Sequence, residues 1–280
     1  AATAAYGAAY GLLPIGWIVV NAVFLYNLTV ESGQFEIVKG SVATLSPDRR
    51  IQALLIAFSF GAFIEGPTGF GTPVAICSAL LMGLGFAPLY AAGLALIANT
   101  APVAFGAIGT PILTLAAVTG LPADQLSAMA GRQLPFISLL IPVWLVVTMS
   151  GWRGFAGVWP AVLICGGVFA IAQFAWSNYV GPELVDIVGG LLSLGALAVF
   201  CRFWKPRDVW EFPDSRERDS VDPDRAGQRG PAPPSPGATG VTVRAGSVIG
   251  ATAAAPDVVR AWLPWGFLSI AVIILGLSAT

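Results

Sequence analysis

Glu65 is the one charged side chain between Arg50 and Asp124, and 58 uncharged residues separate it from Asp124. Beside it stand Gly66, Thr68, Gly69, Gly71 and Thr72; Asn99, Thr100, Gly109 and Thr110 follow along the same uncharged stretch. A carboxyl withdrawn from water favours its neutral form. Glu65 would therefore keep a proton until water reaches it, which is the chemistry of proton coupling. The alternative is a structural carboxylate that caps a half-helix, accepts backbone N–H groups or pairs with a base. Glycines let a backbone turn sharply and expose its N–H groups, and threonine hydroxyls add donors without charge. At the N-terminus of a half-helix such donors form a site suited to a carboxylate. Taken singly, each Gly or Thr equally suits close helix packing, where small residues are enriched. The triplets Gly71-Thr72-Pro73 and Gly109-Thr110-Pro111 form a short local echo.

Other chemistries find little support. The chain has no histidine, which removes imidazole bases, metal ligands and proton relays together. Cys77, Cys165 and Cys201 lie far apart in apolar surroundings and read as packing residues, so no metal, cofactor or disulfide framework is expected. A net charge of −1 offers no field for nucleic acid. An intramembrane enzyme would need a nucleophile, base or metal set that these residues do not supply.

The elements that must position Glu65 belong to a membrane protein. Of 280 residues 56% are hydrophobic and 10% charged, against about 25% charged in soluble domains. Uncharged segments long enough to span lie near 8–30, 134–150 with its uncharged flanks, 155–176 and 184–201, the last interrupted near its start by Asp186, with Trp or Tyr near their ends as membrane interfaces favour. The block 51–118 differs, because Gly and Pro break it repeatedly. Residues 51–64 read as too short to cross before Glu65-Gly-Pro-Thr-Gly-Phe-Gly-Thr-Pro73 intervenes. Non-helical backbone at membrane depth survives only where protein or a wet cavity surrounds it. Such interrupted segments point to a transporter binding site near the bilayer midplane.

Lys39, Arg49 and Arg50, and again Arg202, Lys205 and Arg207, are cytoplasmic by the positive-inside rule. An even number of crossings must then separate the two groups. A re-entrant hairpin over 51–86 and one broken crossing helix over 88–118 meet that condition, as would three short crossings. The hairpin arrangement puts Arg153 inside and Arg132 outside, in a loop with Asp124. Both arginines read as interface anchors, and Glu183 and Asp186, beside Gly181-Pro182, read as a span-end turn. The expected fold is thus an all-α polytopic membrane protein of the secondary-transporter type, one half of an inverted repeat. Residues 1–205 form its transport region. Residues 206–256, rich in Pro, Gly, Ser and mixed charge, read as a disordered cytoplasmic linker, and 257–280 as the start of a further transmembrane helix. Without an initiator Met or a closing loop, the chain reads as the N-terminal or middle portion of a longer protein.

Phe63-Ile-Glu-Gly-Pro-Thr-Gly-Phe-Gly-Thr-Pro-Val-Ala-Ile76, Leu89-Tyr-Ala-Ala-Gly93, Asn99-Thr-Ala-Pro-Val-Ala-Phe-Gly-Ala-Ile-Gly109, Gly131-Arg-Gln-Leu-Pro-Phe136, Gly151-Trp-Arg-Gly154 and Gly181-Pro-Glu-Leu184 closely resemble the L-lactate permease family. The resemblance runs from about Gly16 to Arg207 and resumes at Arg260. It implies proton-coupled uptake of L-lactate, D-lactate, glycolate and similar small 2-hydroxy monocarboxylates across the bacterial inner membrane. The partners it implies are the substrate, protons, the lipid bilayer and a C-terminal half of the same protein. Members often carry small apolar residues where this chain has Pro67-Thr68, and Ala at Thr72. A passive channel, or a carrier for another small organic anion, is the alternative. Expected roles are proton coupling at Glu65 and substrate binding by Gly66, Thr68, Gly69, Gly71, Thr72, Asn99, Thr100, Gly109 and Thr110.

Overall fold

The structure, a computed structural model, describes residues 45–69 and 71–212 and isolated positions nearer the two ends. The expected segments 8–30 and 257–280, and the tract 213–256, fall outside the described residues apart from such isolated positions.

Helix α1, Arg49–Thr68, has 20 residues, enough for about 30 Å and a full crossing. Its middle, Leu54–Phe60, is wound as a π-helix between α-helical ends. This corrects the reading of 51–64 as too short. Pro67 ends no helix because it stands in the last turn, where its missing N–H forfeits one bond at the very end of the ladder. Thr68 Oγ1 donates to the Ile64 carbonyl at 2.7 Å, and Gly69 N closes the turn onto Glu65 O at 2.8 Å. Glu65 therefore lies inside the final turn, and the chain breaks only after Thr68.

Helix α2, Thr72–Gly83, opens with Pro73 in its first turn, a position that tolerates a missing N–H. It returns alongside α1. Cys77 Sγ donates to the Ile56 carbonyl at 3.2 Å, and Arg49 donates to the Leu84 carbonyl just past the end of α2. The Arg49 guanidinium also sits 5.7 Å from the Phe86 ring centroid. The two helices thus form a hairpin whose open end is at Arg49 and Leu84.

Helices α3, Pro88–Asn99, and α4, Gly106–Thr119, are the two halves of the broken helix. They share no extended contact: α3 packs on α2, and α4 packs on the end of α1 and on the next element. That element, α5, runs Ala123–Tyr179 and folds at Gly151, whose φ of +66° interrupts the helix. Ser127 Oγ donates to Ser177 O at 2.9 Å and Ser138 Oγ to Gln173 Oε1 at 2.7 Å, so the two arms lie antiparallel. Arg132 is helical, not in a loop, with Nε 3.1 Å from Asn178 Oδ1. Gly131 suits the helix because a side chain there would strike Ser177.

Helix α6, Val185–Phe203, packs on both α5 and α1. The residues of α1 are all but free of solvent contact, so the other helices surround it. Polar groups along it are paired between helices: Ser59 Oγ meets Ser193 Oγ at 2.8 Å and Cys165 Sγ at 3.2 Å, while Ser193 Oγ donates to the Cys165 carbonyl at 2.9 Å. The outer helices instead display Phe136, Leu140, Trp144, Ile171 and Val199. An apolar exterior around helices joined by interhelical hydrogen bonds is the arrangement that lipid favours.

One end of this bundle is closed by a buried ion pair. Arg50 grips Asp48 through Nε at 3.0 Å and Nη2 at 2.6 Å, and reaches the carbonyls of Gly154 at 2.6 Å and Asp208 at 2.8 Å. Trp210 N donates to Asp48 Oδ2 at 3.1 Å. The start of α1, the turn of α5 and the segment after α6 therefore meet at one end. Of the expected linker, the described residues 206–212 lie at that end, with Trp210 and Phe212 packed on the core. Arg132, Asn178 and the 180–184 connection occupy the other end.

Candidate functional site

Three segments converge on the end of α1, and glycines let them approach. A Cβ on Gly69 would lie 2.8 Å from Ala107 N, one on Gly106 would lie 2.7 Å from Glu65 Oε1, and one on Gly109 would lie 2.8 Å from the Pro182 carbonyl. Gly66 meets Ile187 at the start of α6 in the same way, its added carbon 2.8 Å from Ile187 N. The helix end, the break before α4, the 180–184 turn and the first turn of α6 thus enclose one place.

The backbone there is strained. Ala107, Ile108 and Gly109 have φ of 48°, 58° and 71°, a left-handed run entered by two side-chain-bearing residues. A β-branched residue in that region is a genuine outlier, and such strain persists only where the surroundings impose it. Close packing of Ala107 on Gly69 imposes it here.

Glu65 is 1% exposed. The Gly71 N–H donates to its carboxyl, and Oε2 has no partner among the described residues. Glu65 stands in the last turn of α1, beside the first turn of α6, because α1 continues helically to Thr68.

The nominated substrate ligands divide by what their polar atoms already do. Thr68, Thr100 and Thr110 donate to the carbonyls of Ile64, Leu96 and Ala107. Gly66, Gly69 and Gly109 serve close approach. Thr72 Oγ1 and Asn99 Oδ1 are buried without partners among the described residues, and Gly71 has open space around it. The structure brings Gly66, Gly69, Gly106 and Gly109 to Glu65 and its immediate surroundings, whereas Thr100 is exposed at the end of α3. A surface hollow of about 290 Å³ on α5, lined by Gln125, Ala128, Met129, Arg132 and Gln133, contains none of these residues.

Asp186, read from the sequence with Glu183 as a span-end turn, belongs to the first turn of α6, is fully buried, and has two oxygens without a partner among the described residues. Its signal in the sequence was a charge two residues inside an otherwise apolar span.

A helical bundle with an apolar exterior, a hairpin, a broken helix and buried unpaired carboxyls at their junction defines a polytopic membrane protein of the transporter class. The chain belongs to the L-lactate permease family, whose family model matches residues 1–279. It is 58% identical over 215 residues to the L-lactate permease of Bacillus subtilis, covering 77% of this chain and 38% of that protein. Against glycolate permease GlcA of Escherichia coli it is 60% identical over 208 residues, 74% of this chain and 37% of that one. The L-lactate permease of E. coli is 53% identical over 213 residues, 76% and 39% of the two chains. The matches therefore span less than two fifths of each of these relatives. No solved structure matches the chain significantly.

Proposed function

We propose that this protein moves L-lactate, glycolate and related small 2-hydroxy monocarboxylates across the bacterial inner membrane together with protons. Supporting this are family relatives that are named permeases for these two acids and share more than half of the matched residues. The single structural observation that carries the mechanism is Glu65, buried in the last turn of α1 with one oxygen unpaired among the described residues where three backbone breaks meet. A buried carboxyl without a cation is costly as an anion and inexpensive as an acid. Glu65 thus binds the coupling proton. Thr72 and Asn99 hold the carboxylate and hydroxyl of the substrate, because Thr72 Oγ1 and Asn99 Oδ1 have no partner among the described residues, and the other nominated residues shape the backbone around them.

In this reading the end holding Arg50, Gly154 and Asp208 faces the cytoplasm, by the positive-inside rule. Residues 8–30 and 257–280 are further spans, 213–256 is a cytoplasmic linker, and the chain is one half of an inverted repeat that alternates access to the site. The deciding measurement uses the full-length protein in liposomes with labelled L-lactate. A carrier exchanges internal for external lactate in counterflow and accumulates it when a proton gradient is imposed. Passive equilibration with no counterflow would identify a channel and overturn the proposal.

A further inference from the structure

Asp186 and Glu65 each immediately precede a residue of one tight contact. The Gly66 backbone lies against the backbone of Ile187, where an added Cβ would be 2.8 Å from Ile187 N and 3.3 Å from its Cα. Both side chains are buried, at 0% and 1% exposure, and three of their four oxygens lack a partner among the described residues. Their carboxyl groups lie close enough to interact electrostatically.

No described cation answers them. Arg50 is spent on Asp48, Gly154 and Asp208 at the opposite end, and Arg132 Nε is bonded to Asn178. α4 carries no ionisable side chain. From α2 the facing thiol is Cys77, which donates to Ile56 O; on α5, Cys165 is held by Ser59 and Ser193. Two buried carboxylates that interact with no counter-charge among the described residues cannot both stay ionised, and such a pair titrates as a unit. Asp186 follows the 180–184 connection directly in the chain, in the first turn of α6.

We propose that Asp186 is the second acid of the proton site, holding one proton jointly with Glu65 and passing it between that end of the bundle and Glu65. In the transfer the O–H on Asp186 breaks as the O–H on Glu65 forms, and the negative charge moves the opposite way. The proposal rests on the proton-coupled reading above, so the test separates the two. Full-length wild-type protein in liposomes is assayed first, and failure to accumulate lactate under a proton gradient defeats that reading whatever Asp186 does. With wild-type accumulation established, Asp186→Asn is expected to lose gradient-driven accumulation while counterflow exchange persists, and Asp186→Glu to restore accumulation. Wild-type accumulation in Asp186→Asn would overturn the inference. So would loss of both activities in Asp186→Asn and Asp186→Glu alike, because that marks packing. Accumulation driven by a sodium gradient in place of a proton gradient would overturn it too, assigning the oxygens to a metal cation. Should Asp186→Asn fail to reach the membrane, dicyclohexylcarbodiimide on the wild type decides, since it modifies protonated carboxyls in apolar sites. Modification of Asp186 supports the proposal; modification of Glu65 alone overturns it.

Discussion

At the scale of the residue, what matters is which polar atoms still have a bond to give. Glu65 has an unpaired oxygen and no described cation beside it, so removing its acidity should uncouple transport and leave packing intact. Glu65→Gln is close in shape and keeps a group that the Gly71 N–H can bond. It is expected to abolish gradient-driven lactate accumulation in the full-length protein at normal membrane levels. Wild-type accumulation would remove Glu65 from the mechanism. The threonines make a sharper pair. Thr72 Oγ1 is buried with no partner, whereas Thr68 Oγ1 already donates to Ile64 O at 2.7 Å. One hydrogen bond to substrate is worth about 1 kcal/mol, so Thr72→Val should raise the lactate concentration for half-maximal uptake roughly fivefold. Thr68→Val should change it less, and uptake titrations on the two variants check the order.

Among elements, the decisive contact is α1 on α6. Gly190 of α6 lies against the Phe63 backbone, as Gly66 of α1 lies against Ile187. With no side chain between them the two helices approach closely, and van der Waals packing replaces a hydrophobic drive that is absent between helices in lipid. Adding a methyl group at Gly190 must push α1 away, so Gly190→Ala is expected to destabilise the protein by about 1–3 kcal/mol. Gly195, on the same helix, has open space around it. Gly195→Ala should be neutral or stabilising by up to about 1 kcal/mol through the helix propensity of Ala. Thermal unfolding of the two variants in detergent tests the contrast, and equal melting temperatures would mean that α1 and α6 do not meet at these glycines. The elements also show where pattern reading stops. Gly and Pro correctly mark Gly69–Gly71 and the stretch before α4 as breaks, because neither residue sustains a long helix. Pro67 marks no break, because the cost of a proline depends on its place in the hydrogen-bond ladder, and Pro67 stands where that cost is smallest. Asp124 and Arg132 were read as loop residues for the same kind of reason: charge signals water, yet a helix can extend past the lipid and carry its charges outside.

For the whole molecule, orientation follows from which segments share an end. Arg50, Gly154 and Asp208 are joined by hydrogen bonds, and Arg132 stands with Asn178 at the other end. In the orientation proposed above, Arg153 lies on the cytoplasmic side and Arg132 on the opposite side. In intact cells a membrane-impermeant maleimide should label Arg132→Cys and spare Arg153→Cys, with labelling of Arg153→Cys after the cells are opened. The three native thiols are buried and give little background. Labelling of Arg153→Cys from outside would invert the molecule and reverse the path proposed for the proton.

The sequence by itself determined the medium, the helical class and the family, because these depend on composition, run length and ordered motifs, all of which are local. It singled out Glu65 for the same reason, a lone charge in a long apolar run. The tertiary structure alone decided that Thr68, Thr100 and Thr110 spend their hydroxyls on backbone carbonyls and that Thr72 and Asn99 do not. It also decided that Asp186 faces the neighbourhood of Glu65 across a distance of about 120 residues in the chain. Pairing between distant segments leaves no trace in local pattern. A charge near the end of a span looks the same whether it points to water or into a dry contact, and only the packing of α6 on α1 distinguishes the two.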